Sequence, residues 1–275
     1  MKKWNPEIYL PFFKKDITSV DYFFEKNITS VDHVDHYDAM LKEILNEIKT
    51  KVYNFVIEDF QKSDPLRYLY EADIQADLAH AISGTFNDKP IIINNVMIGN
   101  GSSTAKNYKL HPIAREYPLS EKNHSGRFDI ACINPFMVKK YIEWRLTVDK
   151  KKKLNFIVWE LPVLVAIEIK YSTFGNGGGF DAIKSDVKKM KRYKADYHEH
   201  RNPILCDESH EQRKFTEHFQ FIGLHFFQDD SYFDLEIGTN TQKIQPVPVT
   251  SIEFDHAYMI NHENIYEVSS AFLSQ

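Results

Sequence analysis

Apolar residues recur at helical spacing early in the chain. After the polar stretch from Asp32 to Asp38, Met40, Leu41, Ile44, Leu45, Ile48, Val52, Phe55 and Val56 fall three or four apart and predict an amphipathic helix. Ser63-Asp64-Pro65 then predicts a second helix start, a capping residue ahead of a proline in the first turn. That helix is expected to run to about Ser83, burying Leu66, Leu69, Tyr70, Ile74, Leu78 and Ile82, with Gly84 closing it.

After Pro90 the period shortens. Ile91 to Ile98 is short and β-branched and predicts a strand, and the polar stretch from Gly99 to Gly126 reads as a long surface loop. Arg127 to Ile133 predicts a second strand, ended by Asn134-Pro135. Tyr141 to Val148 and Leu154 to Glu160 predict a hairpin around Asp149-Lys150-Lys151-Lys152-Lys153. Val163 to Tyr171 is a near-continuous apolar strand, broken only by Glu168 and Lys170. A Gly-rich loop (Gly175, Gly177, Gly178, Gly179) leads to an amphipathic helix from Asp181 to Tyr197, with Ile183, Val187, Met190 and Tyr193 or Tyr197 as its buried stripe. Phe219 to Phe227 predicts a last strand. The order points to an α/β chain with a central mixed sheet flanked by helices.

Composition narrows the setting. With 275 residues, 43 % of them hydrophobic and 14 % aromatic, the chain can bury one sizeable core. No apolar stretch approaches the roughly 20 residues of a membrane span, and none of signal-peptide length follows Met1. Cys132 and Cys206 form no disulfide framework, so a reducing cytoplasm is the expected location. The net charge of −5 is unevenly spread: residues 206 to 275 hold 12 acidic and 3 basic side chains, which leaves 27 acidic and 31 basic in residues 1 to 205. A mildly basic body with an acidic end is compatible with a polyanionic partner.

The chemistry concentrates in Val163-Leu164-Val165-Ala166-Ile167-Glu168-Ile169-Lys170. Residues two apart on a strand share a face, so Glu168 and Lys170 point together from an otherwise apolar strand. Two charges among Val, Ile and Leu are costly unless paired or bound to a metal. A salt bridge at a strand end would explain the pair alone. Asp129, a single carboxylate in another apolar strand, and Glu71, on the helix upstream with Gln75 one turn on, give it company.

Over residues 66 to 227 this order resembles the PD-(D/E)xK nuclease core: helix with Glu, strand, strand with Asp, strand with ExK, helix, strand. The resemblance implies a restriction-endonuclease-like α-β-β-β-α-β core and metal-dependent phosphodiester hydrolysis. Asp129, Glu168 and the backbone carbonyl of Ile169 would hold Mg²⁺ or Mn²⁺, Glu71 would orient a metal-bound water or help hold a second metal, and Lys170 would face the attacking water or the phosphate. Two departures stand out. Arg127-Phe128 replaces the family's proline before the aspartate, and the 39-residue gap from Asp129 to Glu168 requires the 141–160 hairpin as an insertion. Asp149, at the head of four lysines, competes for the aspartate role but reads as a solvated turn residue.

The implied organisation is a largely helical N-terminal extension (1–62), a nuclease core (63–230) and an acidic C-terminal segment packed on it (231–275). Nucleic acid is the expected partner, DNA before RNA, in restriction, defence or repair, with no membrane association. Lys184, Lys188, Lys191 and Arg192 are the candidate phosphate contacts, though a solvated helix face accounts for them equally. The oligomeric state, homodimer included, is left open. So are RNA, structure-directed and exonucleolytic cleavage, and a catalytically inactive nuclease-like binding module is the alternative of another class. Asp32-His33-Val34-Asp35-His36 carries metal-ligand residue types but reads as helix capping. His198, His200, Cys206 and His210 lack regular zinc spacing. The glycine run has no GK[ST] ending and is not a phosphate loop.

Overall fold

The computed structural model describes residues 32–64, 67–86, 91–96, 106–118, 126–134, 163–173, 179–199, 219–239, 244–248 and 252–268. Four α-helices can be named: α1 (Asp32–Asn54, continued by a π-helical stretch Phe55–Gln61), α2 (Glu71–Ser83), α3 (Gly179–Glu199) and α4 (Asp230–Thr239). The strands are β1 (Ile91–Val96), β2 (Lys106–Leu110), β3 (Ile113–Pro118), β4 (Arg127–Ile133), β5 (Val163–Ser172), β6 (Gln220–Phe227), β7 (Ile244–Pro246), β8 (His256–Ile260) and β9 (Ile265–Val268).

Seven of them form one open mixed sheet in the order β3-β4-β5-β6-β8-β9-β7. β5, β6 and β8 run parallel at its centre, and the pairs towards both edges are antiparallel. The central strands are apolar on both sides because both faces are covered. Phe226 meets Phe55 and Phe60 of the α1 continuation, at 6.2 and 4.6 Å between ring centres. Gly223, three residues earlier and so on the opposite face, lies under α3. A Cβ built there would sit 3.1 Å from Ala257 Cβ and 3.4 Å from Val187 Cγ2. The chain is therefore an α/β protein with its sheet between helical layers.

The expected stripe of the first helix is realised where its side chains are described: Leu41, Ile44, Ile48, Val52, Phe55 and Val56 are buried. The π-helical stretch carries Phe60 into the same core, stacked on Tyr68.

Two expectations are corrected. The second helix begins at Glu71, not at Ser63-Asp64-Pro65. Asp73 turns its carboxylate back to accept the N–H groups of Leu69 and Tyr70, which fixes the helix start there. Leu69 and Tyr70, expected inside, are 57 % and 70 % exposed, while Ile74, Leu78 and Ile82 are buried. The stretch read as a loop from Gly99 to Gly126 contains β2 and β3, and β3 is the strand that flanks β4. The expected first core strand, β1, instead pairs with β2 in a separate two-stranded ribbon. An edge strand needs only one apolar side, and β3 supplies it sparsely, with Ile113 and Tyr117 buried among Arg115 and Glu116. The 141–160 hairpin and Asp149 lie outside the described residues.

Beyond β6, the acidic segment contributes β7, β8 and β9 to the same sheet, and its charges are partly answered locally. Asp255 pairs with Lys194 of α3, and Glu267 accepts from His256 at 2.7 Å.

Candidate active site

The β4/β5 register pairs Ile130 with Ile167 and Ala131 with Ala166. One step further along, the same antiparallel register sets Asp129 opposite Glu168, and opposed residues share a face. Both carboxylates are buried, Asp129 at 8 % and Glu168 at 2 % exposure. Asp129 Oδ2 accepts the backbone N–H of Ile169 at 2.6 Å, which fixes its orientation. Lys170, two residues after Glu168, lies 3.2 Å from Asp186 Oδ2 of α3 and 3.9 Å from Glu71 Oε2 of α2. Its Nζ also approaches the Ile169 carbonyl at 3.3 Å. Glu71, Asp129, Glu168 and Lys170 thus converge, drawn from three separate elements.

The helix presenting Glu71 is held from several sides. Arg115 of β3 donates to the Ala72 carbonyl at 3.2 Å, and Gln75 reaches Glu71 Oε1 at 3.5 Å. Tyr171, on the other face of β5 from Lys170, donates to the Tyr68 carbonyl just ahead of α2 at 2.5 Å.

Two further residues belong to the cluster and were not singled out from the sequence as site residues: Asp186 and Lys189. Lys189 donates to Glu168 Oε2 at 2.7 Å and to the Arg127 carbonyl at 2.9 Å, and it lies 3.6 Å from Asp186 Oδ1. Their signal was present in the spacing. Ile183, Val187 and Met190 are buried, and residues 186 and 189, three apart, flank that stripe on one side. By the same period Lys184 and Lys191 fall on the other flank, while Lys188 and Arg192 point outwards. Of the histidines considered as ligands, His200 and His210 lie, with Cys206, outside the described residues.

Crowding of negative charge shapes the site's electrostatics. Burial pushes Glu168 up to about 8, and the Asp129 charge adds to it. Burial likewise raises Asp129, against the Ile169 N–H and the two lysines, and it raises Glu71. Burial works to lower Lys170, but Asp186, Glu71 and Asp129 together outweigh it and hold its ammonium above the usual lysine value. Lys170 is therefore a fixed cation at neutral pH. Next to it in the parallel register, buried His225 is pushed down to about 3 by burial and by Lys170, and shares a 2.7 Å hydrogen bond with Ser172.

Among the described residues no three His, Cys, Asp or Glu side chains form a ready metal cage. The donor chemistry nevertheless fits a hard divalent cation. Glu168 Oε1 is buried and finds no hydrogen-bond partner among the described residues. Asp129, Glu168 and the Ile169 carbonyl are oxygen donors of the kind Mg²⁺ takes in small number while keeping its own waters. No family model, curated protein or solved structure matches the chain.

Proposed function

We propose that the chain hydrolyses phosphodiester bonds in nucleic acid, DNA before RNA, with Mg²⁺ or Mn²⁺, on a restriction-endonuclease-like core of the PD-(D/E)xK type. The observation that carries this reading is the pair of buried carboxylates Asp129 and Glu168, one oxygen of which finds no partner among the described residues, beside a lysine whose ammonium is held above its usual value. A salt bridge needs one carboxylate per ammonium. It does not need two carboxylates forced together in low dielectric.

In this reading Asp129, Glu168 and the Ile169 carbonyl hold the ion, with Glu71 at its margin, and the bound ion supplies Lewis-acid stabilisation of a phosphoryl oxygen. Lys170 places a positive charge against the phosphate as negative charge develops on it. Its raised pKa suits it to that task and unsuits it to accepting a proton. Glu71 is raised by burial, half-buried and 3.9 Å from Lys170, and it takes the proton of the attacking water. The water oxygen bonds to phosphorus, the bond to the leaving ester oxygen breaks, and solvent protonates that oxygen. Restriction, defence or repair is the role we propose with it.

A nucleic-acid- or protein-binding module without catalysis is the second reading. It draws on Lys189, whose ammonium already answers one oxygen of Glu168 as a purely structural network would. Incubation with plasmid, linear duplex, single-stranded DNA and RNA, each with Mg²⁺, Mn²⁺ or EDTA, separates the two. Cleavage that requires the divalent ion supports the enzyme. Binding without cleavage under every metal supports the module.

A further inference from the structure

Lys189 donates to two acceptors, Glu168 Oε2 at 2.7 Å and the Arg127 carbonyl at 2.9 Å, with Asp186 Oδ1 in ion-pair range at 3.6 Å. Neither Lys189 nor any other donor among the described residues reaches Glu168 Oε1, which is buried and unpartnered. Charge tells the same story. Among the described residues four carboxyl side chains, Glu71, Asp129, Glu168 and Asp186, gather around two amines, Lys170 and Lys189, an excess of two acidic groups. One divalent ion matches that excess. It cannot take both Asp129 and Glu168 while the ammonium remains on Glu168, because two cations would compete for the same oxygens. Lys189 also has somewhere to go. Its side chain is 27 % exposed on a flexible stem, and Asp186, one helical turn back, already lies beside it.

We propose that Lys189 is the resident counter-ion of the Asp129–Glu168 pair, and that a divalent cation binds by displacing it from Glu168 onto Asp186. Lys189 is then a positioning residue. It keeps the two buried carboxylates together before the ion arrives and sets the threshold of divalent concentration at which the site fills. The inference rests on the metal-site reading above, and it adds an exchange of cations that the reading does not require.

The test uses the full chain with Mn²⁺ as probe. Calorimetric titration of wild type and Lys189→Gln, which keeps an N–H donor for Glu168 but drops the charge, should show Mn²⁺ binding at least about tenfold tighter in the variant. In wild type, Mn²⁺ should raise the rate at which an amine-acetylating reagent modifies Lys189, read by peptide mass spectrometry with Lys188 as the internal reference. If wild type binds no Mn²⁺, the metal site itself is refuted and this inference with it. If wild type binds Mn²⁺ but Lys189→Gln binds it no tighter, the ammonium is not a competitor and the exchange is refuted alone. If Lys189→Gln does not fold, the acetylation rate in wild type decides. A rate unchanged or lowered by Mn²⁺ overturns the displacement.

Discussion

Asp129 Oδ2 accepts the backbone N–H of Ile169 at 2.6 Å, so the carboxylate of one strand is aimed by the residue between Glu168 and Lys170 on the next. Shape and charge can be separated at this position. Asparagine keeps a carbonyl acceptor for Ile169, whereas alanine strands a buried N–H, a loss of about 1–3 kcal/mol. Asp129→Asn is expected to fold with a urea midpoint close to that of wild type and to lose the proposed cleavage by about 10²-fold or more. Asp129→Ala should show the added stability loss. Cleavage by Asp129→Asn at the wild-type rate would remove this carboxylate from the chemistry.

The stability of the metal-free protein should carry the signature of Glu168. Its folded value is raised from 4.5 to about 8, by burial first and by Asp129 next. Between those limits the folded chain retains a proton that the unfolded chain has released, so the stability it confers declines as pH rises through that window. Urea unfolding in EDTA, compared between wild type and Glu168→Gln, measures this. The wild-type curve should fall more steeply towards alkaline pH, and saturating Mn²⁺ should flatten it. Identical slopes in EDTA would mean that Glu168 is ionised throughout.

What the sequence revealed followed from periodicity. The apolar run around Glu168 and Lys170 and the isolated Asp129 are local patterns, and strands two residues in period place them without knowledge of the partner strand. Glu71 was legible from its place on the helix ahead of the strands, although the helix start was not. Asp73 sets that start through hydrogen bonds to Leu69 and Tyr70, a choice between two acceptable caps that spacing does not make. β3 escaped because an edge strand with Arg115 and Glu116 between its buried residues carries no clean alternation. Lys189 escaped for a different reason. Among six basic residues between 184 and 194, only the position of α3 on the sheet decides which one meets Glu168.

That position depends on Gly223. Its missing side chain lets α3 approach β6, with Val187 Cγ2 and Ala257 Cβ at 3.4 and 3.1 Å from where a Cβ would lie. Gly223→Ala is expected to lower stability by about 1–3 kcal/mol through overpacking. Gly223→Val should do so more severely. Because Asp186 and Lys189 flank Val187, outward movement of α3 should also loosen the ion network. The check is the urea midpoint together with the acetylation rate of Lys189, which should rise in Gly223→Ala without added metal. A stability equal to wild type would show that the helix shifts freely.

Lys170 gives the test that separates catalysis from binding. Its ammonium sits 3.2 Å from Asp186 and 3.9 Å from Glu71, beside the two buried carboxylates rather than on them. The apolar contribution of β5 to the core comes from the five residues Val163 to Ile167 and from Ile169, none more than 2 % exposed, so Lys170→Ala should preserve the fold. Losing one fixed charge near a transition state that gains negative charge should slow the proposed cleavage by about 10²–10³-fold. Affinity for nucleic acid should fall far less, since one phosphate contact among several supplies only part of the electrostatic binding. Because Lys170 stays protonated, cleavage should show no acidic limb that belongs to it. The rise of rate with pH belongs to Glu71, whose carboxyl the Lys170 charge draws down, so in Lys170→Ala that rise should move to higher pH as well as drop in height. Single-turnover rates across pH, with binding measured in Ca²⁺, give both quantities. An alanine variant that cleaves as fast as wild type would end the assignment of Lys170. One that binds a hundredfold more weakly while cleaving bound substrate normally would make it a docking residue.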